Sequence, residues 1–270
     1  MEHVLAANRV TRNPETAIYL YCVVRAPRRP RVSGALKGVP GASALDVHSV
    51  AGSLFIVVSA VPLDVYAPER LEPRLRDLDW VSDVAVAHEA VNEHFARVRS
   101  TVVIPMKLFT MFSSIDKAVA DIASRRKVIE QTVRRIDGCE EWGIRVTRRP
   151  VPAPAGDEES RPRTGAGFLQ ARKAARDAAA NARLEAASAA DRAFAALRRL
   201  AKDTYRRPRA SEPGTNPPIL EAAFLVRATA RPRFKAEARR QAAALGRAAA
   251  DLSLTGPWPA YNFVGAERAR

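Results

Sequence analysis

Apolar positions along the chain recur with two spacings, one of two residues and one near four, and their alternation marks out the elements. Ala17–Arg25 is dense in β-branched and aromatic residues, is bounded by prolines, and predicts a strand. Leu45–Val50 and Leu54–Ala60, separated by Ala51-Gly52-Ser53, predict a hairpin that Val61-Pro62 ends. Pro68 suits the first turn of a helix running to Asp77. Ser82 or Asp83 caps a second helix to about Arg99, with Val84, Ala87, Val91, Phe95 and Val98 as its apolar stripe. Val102–Ile104 is a short strand stopped by Pro105. Ser114 caps a single helix through Ile136, with Val119, Ile122, Val128, Ile129, Val133 and Ile136 at core spacing, and Asp137-Gly138 stops it.

Glu140–Arg148 alternates as a strand, and residues 149–164, rich in proline, glycine and charge, predict a surface loop. Ala166 to about Arg206 reads as one long helix with 16 alanines between Ala166 and Ala201. Unbroken it would span roughly 60 Å, so it either bends or projects from the body. Phe194, Leu197 and Leu200 anchor its end, whereas its alanine middle buries little apolar area per residue. Residues 207–218 are a proline-rich break, with a weak strand near 206–212. Ile219–Ala228 then predicts a strand, Pro232–Ala249 a helix and Asp251–Trp258 a last strand, while residues 1–14 read as a frayed tail.

From Gly138 onward this order is βαββαβ, that of a ferredoxin-like unit with two helices on one face of an antiparallel sheet. The expected fold class is therefore α+β in two domains. Residues 1–137 form an N-terminal α+β domain. Residues 138–270 form a C-terminal ferredoxin-like domain with a long Ala-rich helix and a closing tail of proline and aromatics.

The chain has 270 residues, 47% of them hydrophobic, which is globular and ample for two cores. Its longest apolar run, Leu54 to Val61, is too short for a bilayer, and MEHVLAANRVTRN lacks the apolar centre of a signal peptide. Cys22 and Cys139 fall in predicted buried strands, which suits a reducing cytoplasm and two core thiols better than a disulfide. The net charge of +15 raises nucleic-acid binding as an alternative function. Against it, the basic residues are dispersed, and an excess of 37 arginines over 7 lysines beside abundant alanine is what a GC-rich genome produces. The one compact cluster, Arg25 to Arg31, reads as a proline-rich loop. A basic surface equally suits an acidic protein partner.

No catalytic set stands out. The four histidines are His3, His48, His88 and His94. His88 and His94 are six apart, about 120° around a helix, whereas a zinc helix places its histidines four apart. His88 and Glu89 are expected at a polar contact between helix and sheet. There is no Gly-x-Ser-x-Gly elbow, no base beside either cysteine in sequence, and no phosphate loop, since Gly165-Ala166-Gly167 lacks a third glycine and a preceding buried strand. Glu140 and Glu141 are adjacent in a strand and face opposite sides, one solvated and the other free to pair with an arginine. No metal and no cofactor is expected.

The segment Gly256-Pro257-Trp258-Pro259-Ala260-Tyr261-Asn262-Phe263 carries three aromatics in a chain only 6% aromatic. Prolines stiffen both sides of Trp258, and Tyr261 and Phe263 are spaced as on one face of an extended strand. Two readings stand: Trp258 and Tyr261 fill a gap between sheet and long helix, or Trp258, Pro259, Tyr261 and Phe263 form a partner-binding patch of rigid aromatics. Trp80 and Trp142 read as core residues.

This tail resembles the closing motif of the GvpL/GvpF family of gas vesicle accessory proteins. So do, in order, Tyr19-Leu20-Tyr21-Cys22-Val23-Val24, Gly38-Val39-Pro40-Gly41, Leu54 to Ser59 and His88-Glu89-Ala90-Val91. Further on, the resemblance continues in Val102 to Thr110, Gly138 to Val146, Gly165 to Leu169 and Ala223 to Val226. Two departures stand out: Cys22 replaces a glycine, and Leu108-Phe109-Thr110 replaces Phe-Gly-Thr. The resemblance implies a non-catalytic protein of the cytoplasm and gas vesicle. It would act as an accessory in vesicle assembly or a minor shell component, partnered by the apolar shell subunit and other vesicle proteins. It also implies an N-terminal α+β domain followed by a ferredoxin-like one.

Overall fold

The computed structural model describes residues 15–149, 164–208 and 217–264. The expected 1–14 tail, almost all of the 149–164 loop and residues 209–212 of the weak strand lie outside them. Two compact units divide between Asp137 and Gly138.

In the first unit the apolar run becomes the central strand β1 (Thr16–Arg25). The hairpin follows as β2 (Asp46–Ala51) and β3 (Leu54–Pro62), then helices α1 (Leu63–Tyr66), α2 (Pro68–Arg74) and α3 (Leu78–Ala96). Strands β4 (Val102–Pro105) and β5 (Met111–Phe112) come next, then α4 (Ile115–Ser124) and α5 (Arg126–Ile136). The sheet order is β2-β3-β1-β4, all antiparallel, with β5 also paired to β1. A central strand is buried on both faces, so β1 shows an unbroken apolar run. Its register against β3 slips between Leu20 and Cys22, leaving Tyr21 as an extra residue. A bulge shifts the two-residue period by one. Ala17, Tyr19 and Tyr21 before the slip therefore share one core with Cys22, Val24 and Ala26 after it. Val84, Val91 and Phe95 of α3 and Tyr66 of α1 cover that face. Helix α4 packs on β2 and β1, and α5 on β4. Their buried Ala118, Ile122, Ile129 and Val133 stand outside the tyrosine core, so the sheet is covered on both sides.

Three expectations here need correction. Asp77, not Ser82 or Asp83, caps α3, accepting from the Trp80 N–H at 3.1 Å; Asp77 has the extended backbone a cap requires, while the later residues already lie in the helix. Val98 lies past the end of α3 and is 39% exposed, so it leaves the stripe. The helix starting at Ser114, which does cap it, breaks at Arg125. The Ser124 hydroxyl donates to the Asp121 carbonyl at 2.7 Å, and the Arg125 N–H turns to Ile122 instead. Val128, consequently, is exposed rather than core.

The second unit runs β6 (Cys139–Arg148), α6 (Gly165–Arg198), β7 (Asp203–Arg206), β8 (Leu220–Arg227), α7 (Arg231–Arg247) and β9 (Ala250–Trp258). Its sheet order is β7-β8-β6-β9 with every neighbour antiparallel. Trp142, Ile144 and Val146 of β6 and Ala222, Phe224 and Val226 of β8 point to one side. They meet Ala186, Ala190, Ala193 and Leu197 of α6 and Phe234, Ala238 and Leu245 of α7. Both helices thus share one face of the sheet. Phe224 sits between Phe194 and Phe234 with ring centroids 5.5 and 5.4 Å away. The long helix stops at Arg198, short of the expected Arg206. Asp203–Arg206 is strand β7, because pairing with β8 satisfies its backbone on the sheet edge and overrides the helical propensity of the alanine run. Cys139 is half-buried at the start of β6, not a core thiol, and neither cysteine forms a disulfide.

Phe224→Ala should lower unfolding stability by about 3–5 kcal/mol, since three packed rings lose their centre. Leu184→Ala, at a site 70% exposed, should change it by less than about 0.5 kcal/mol. Urea unfolding midpoints followed by circular dichroism test both.

Candidate interaction surfaces

Five of the sequence segments singled out above meet in the first unit, and they meet to satisfy buried polar groups. Tyr19 and Tyr21 are fully buried on β1. The Tyr21 hydroxyl lies 2.8 Å from Ser59 Oγ and accepts the Val39 N–H at 2.9 Å. That clasp leaves no room at Gly38, where a Cβ would lie 2.4 Å from the Tyr21 hydroxyl. The Tyr66 hydroxyl donates to the Pro40 carbonyl at 2.8 Å. The expected helix–sheet contact is made by His88. Its Nε2 is 3.1 Å from the Met106 carbonyl, which can only accept, so that nitrogen carries the proton. Nδ1 is then bare and accepts from the Tyr19 hydroxyl at 3.0 Å, while Tyr19 in turn accepts the Phe109 N–H at 3.2 Å. Burial lowers the His88 pKa to about 4 and pushes both tyrosine hydroxyls up. Every polar atom of this chain of contacts is engaged in holding the fold. Burial likewise raises the Cys22 thiol, which removes it as a nucleophile near neutral pH.

The two departures from the family pattern differ in consequence. Cys22 does not have a positive φ, so no glycine is needed there. Phe109 does, at 62°, a conformation that costs a side-chain-bearing residue about 1–2 kcal/mol. It is offset by stacking on Trp80, 5.8 Å between centroids and 14° between planes.

The closing tail lies on the sheet face opposite α6 and α7. Trp142 faces the helices, so its neighbour Glu141 faces away, and there it meets the tail. Glu141 is 5% exposed and accepts from the Asn262 backbone N–H at 2.8 Å and from its side-chain amide at 2.5 Å. Gly256, at φ 118°, permits the approach, since a Cβ would lie 2.7 Å from the Glu141 carbonyl. The reading in which the tail fills a gap between sheet and long helix is therefore overturned. Tyr261–Phe263 is moreover a 3-10 turn rather than an extended run. Of the four tail candidates, Pro259 and Phe263 are buried, Tyr261 is half-buried and Trp258 is 40% exposed. Trp258 edges a groove of about 270 Å³ whose other walls include Gly143, Arg145, Arg207, Glu221 and Thr255. Glu140 faces the other way and pairs with Arg231, whose Nε lies at 2.9 Å.

The long helix does project. From Gly165 to Glu185 nearly every residue of α6 is exposed, including Phe168, Leu169 and Leu184 at 55, 66 and 70%. That length is about 30 Å. Its buried stripe of Ala186, Ala190, Ala193 and Leu197 continues outward at the same spacing as Ala182, Ala179 and Ala175, is interrupted by Arg172, and resumes at Phe168. Sequence reading missed this division of labour because alanine looks alike on both stretches. Among the described residues, no cluster of three or more His, Cys, Asp or Glu could hold a metal ion, and no helix is long and apolar enough to cross a membrane.

These features define a mixed α/β protein of two antiparallel sheets with helices. The family model for gas vesicle synthesis protein GvpL/GvpF matches residues 17–265, and the chain belongs to that family. A Streptomyces protein described as Gas vesicle protein L is 32% identical over 226 residues, covering 79% of this chain and 81% of the relative. Crystal structures of gas vesicle protein GvpF from an Anabaena species and from Microcystis aeruginosa superpose with TM-scores of 0.62 and 0.60. They cover 93 and 92% of this chain, and 96 and 99% of their own, at 14 and 13% identity, which shows a common fold.

Two outcomes follow from the buried contacts. The folded state keeps His88 neutral to about pH 4, whereas the unfolded chain takes up the proton below about 6.5. Stability should therefore be intact above pH 6.5 and fall by up to about 3 kcal/mol as pH drops toward 4. His88→Gln should flatten that part of the profile, as read by urea unfolding across pH. Asn262→Ala should cost about 1–3 kcal/mol, because the Glu141 carboxylate keeps its burial and the residue-262 backbone donor but loses the side-chain amide; a red shift in tryptophan emission would report the loosened tail.

Proposed function

We propose that this chain is a non-catalytic accessory protein of gas vesicle assembly, working in the cytoplasm and at the vesicle, and that it binds the apolar shell subunit and other vesicle proteins through folded surface. The observation that carries this reading is the α6 arm: about 30 Å of helix whose apolar stripe has no sheet beneath it, in a chain of the GvpL/GvpF family. A gas-filled shell needs a subunit with surface that water rejects, and such surface aggregates unless it is covered before incorporation. A rigid helix face and an exposed tryptophan flanked by prolines suit that task at low entropic cost. In this reading Trp258 and Tyr261 touch the partner, while Pro259 and Phe263 anchor the segment that presents them. The two compact units act as domains, 1–137 and 138–270. The strand order β7-β8-β6-β9 supports a ferredoxin-like assignment for the second.

Pull-down of the shell subunit by the full-length protein tests this. Capture should fall at least about fivefold when Phe168, Leu169 and Trp258 are all replaced by alanine, with unchanged circular dichroism. No capture of any vesicle protein by the unaltered chain would end the reading. Retention on nucleic acid at physiological salt, in place of protein capture, would favour the basic-module alternative.

A further inference from the structure

A second surface lies in the first unit, away from the tail and the arm. Residues 26–33 leave β1 and run beside the C-terminal end of α3, enclosing a groove of about 510 Å³. Its floor is apolar: Ala26 is buried, Val32 packs on the tyrosine core, and Val98 offers a side chain 39% exposed. Pro27 and Pro30 stiffen one wall. The other wall is set by Thr101, whose hydroxyl donates to the Phe95 and Val98 carbonyls at 2.7 and 2.8 Å. The turn between them passes through Ser100 at φ 61° and brings Arg99 to the mouth.

The charge around this groove has one sign. Arg28, Arg29, Arg31 and Arg99 line it, and no aspartate or glutamate does. Arg29 is matched by Asp46 at 2.8 Å. Among the described residues, Arg28, Arg31 and Arg99 have no acidic partner. This contrasts with the arginines of the helices, several of which pair along their own helix, as Arg97 does with Glu93 at 2.5 Å and Arg126 with Glu130 at 2.7 Å. Three unmatched guanidiniums over an apolar floor fit a ligand that is both anionic and apolar. Guanidinium forks match carboxylates two bonds at a time. Nucleic acid fits less well, because its bases need aromatic platforms and no Phe, Tyr or Trp lines the groove; the one ring there, His94, is already packed edge-to-face with Phe95 at 5.0 Å.

We propose that this groove docks an acidic, extended segment of a partner protein, with one apolar side chain seated between Val32 and Val98 and flanking carboxylates held by Arg28, Arg31 and Arg99. The site goes beyond the assembly reading and fails or stands apart from it, since neither the arm nor Trp258 is involved.

Fluorescence anisotropy of the full-length protein tests it with short labelled peptides of alternating aspartate and glutamate around one central leucine. Binding should weaken at least about tenfold when Arg28, Arg31 and Arg99 are all changed to glutamate. The charge-matched set Arg198→Glu, Arg239→Glu and Arg247→Glu, exposed elsewhere on the surface, should leave it within about twofold. Val98→Ala should weaken the leucine peptide several-fold and leave a central-alanine peptide unchanged. Equal loss in both triple variants would reduce the effect to overall charge and overturn the site. Equal affinity of leucine and alanine peptides would remove the apolar seat. A single-stranded oligonucleotide of equal charge that binds more tightly, and is lost in the first triple variant, would reassign the groove to nucleic acid. All the altered side chains are exposed, so unchanged circular dichroism is expected throughout.

Discussion

Everything in the first unit depends on the need to satisfy three tyrosine hydroxyls and one imidazole buried together. Tyr19, Tyr21 and Tyr66 are each fully buried, and an unpaired hydroxyl in such a place costs about 1–3 kcal/mol. The solution draws a partner from each surrounding segment: Ser59 from β3, Val39 and Pro40 from the loop before β2, His88 from α3, and Met106 and Phe109 from the stretch between β4 and β5. These segments are far apart in sequence and have few apolar residues in common. The hydrogen bonds fix their register, because shifting any one would strand a buried group. The bulge at Tyr21 is part of the same constraint, since it turns two adjacent residues toward one face.

The second unit is organised by size rather than polarity. Alanine at 186, 189, 190 and 193 lets α6 approach the sheet closely, while bulk comes from Phe224, Phe234 and Trp142 on the facing elements. The same residue type makes a good helix former in water. That is why α6 can continue for about 30 Å beyond the sheet without a core beneath it. A helix built on leucine could pack as well but would expose a large apolar face along that length.

The buried ionisable groups of the described residues are engaged in holding the fold. The buried histidine is held neutral by its surroundings, the buried carboxylate of Glu141 is held by the tail, and the cysteine on β1 is shielded. The exposed features of the described residues include a tryptophan edge, a projecting helix, and arginines that outnumber the acids around them. The net charge of +15 would draw acidic partners over a distance of about a Debye length, roughly 8 Å at physiological salt, before specific contacts form.

Most elements were legible from spacing alone. Strands β1, β3, β6, β8 and β9 lie within a residue or two of where alternation and β-branching place them, and Ser114 and Pro68 mark helix starts as their chemistry predicts. The errors share one cause, competition between local options that a tertiary contact decides. Asp77 and Ser82 are both good caps; Asp203–Arg206 can be helix or edge strand; Ser124 can continue a helix or break it. The tail shows this most plainly. Its prolines and aromatics announce a rigid segment, but which sheet face it lies on follows from Glu141 and Asn262, 121 residues apart, finding each other. By itself the sequence determined where chain runs straight, where it turns and which residue types must be buried, because those follow from periodicity and backbone chemistry. Only the tertiary structure decided which polar groups share a buried site and which alanines stay in water. Those depend on what arrives from distant parts of the chain to remove the water.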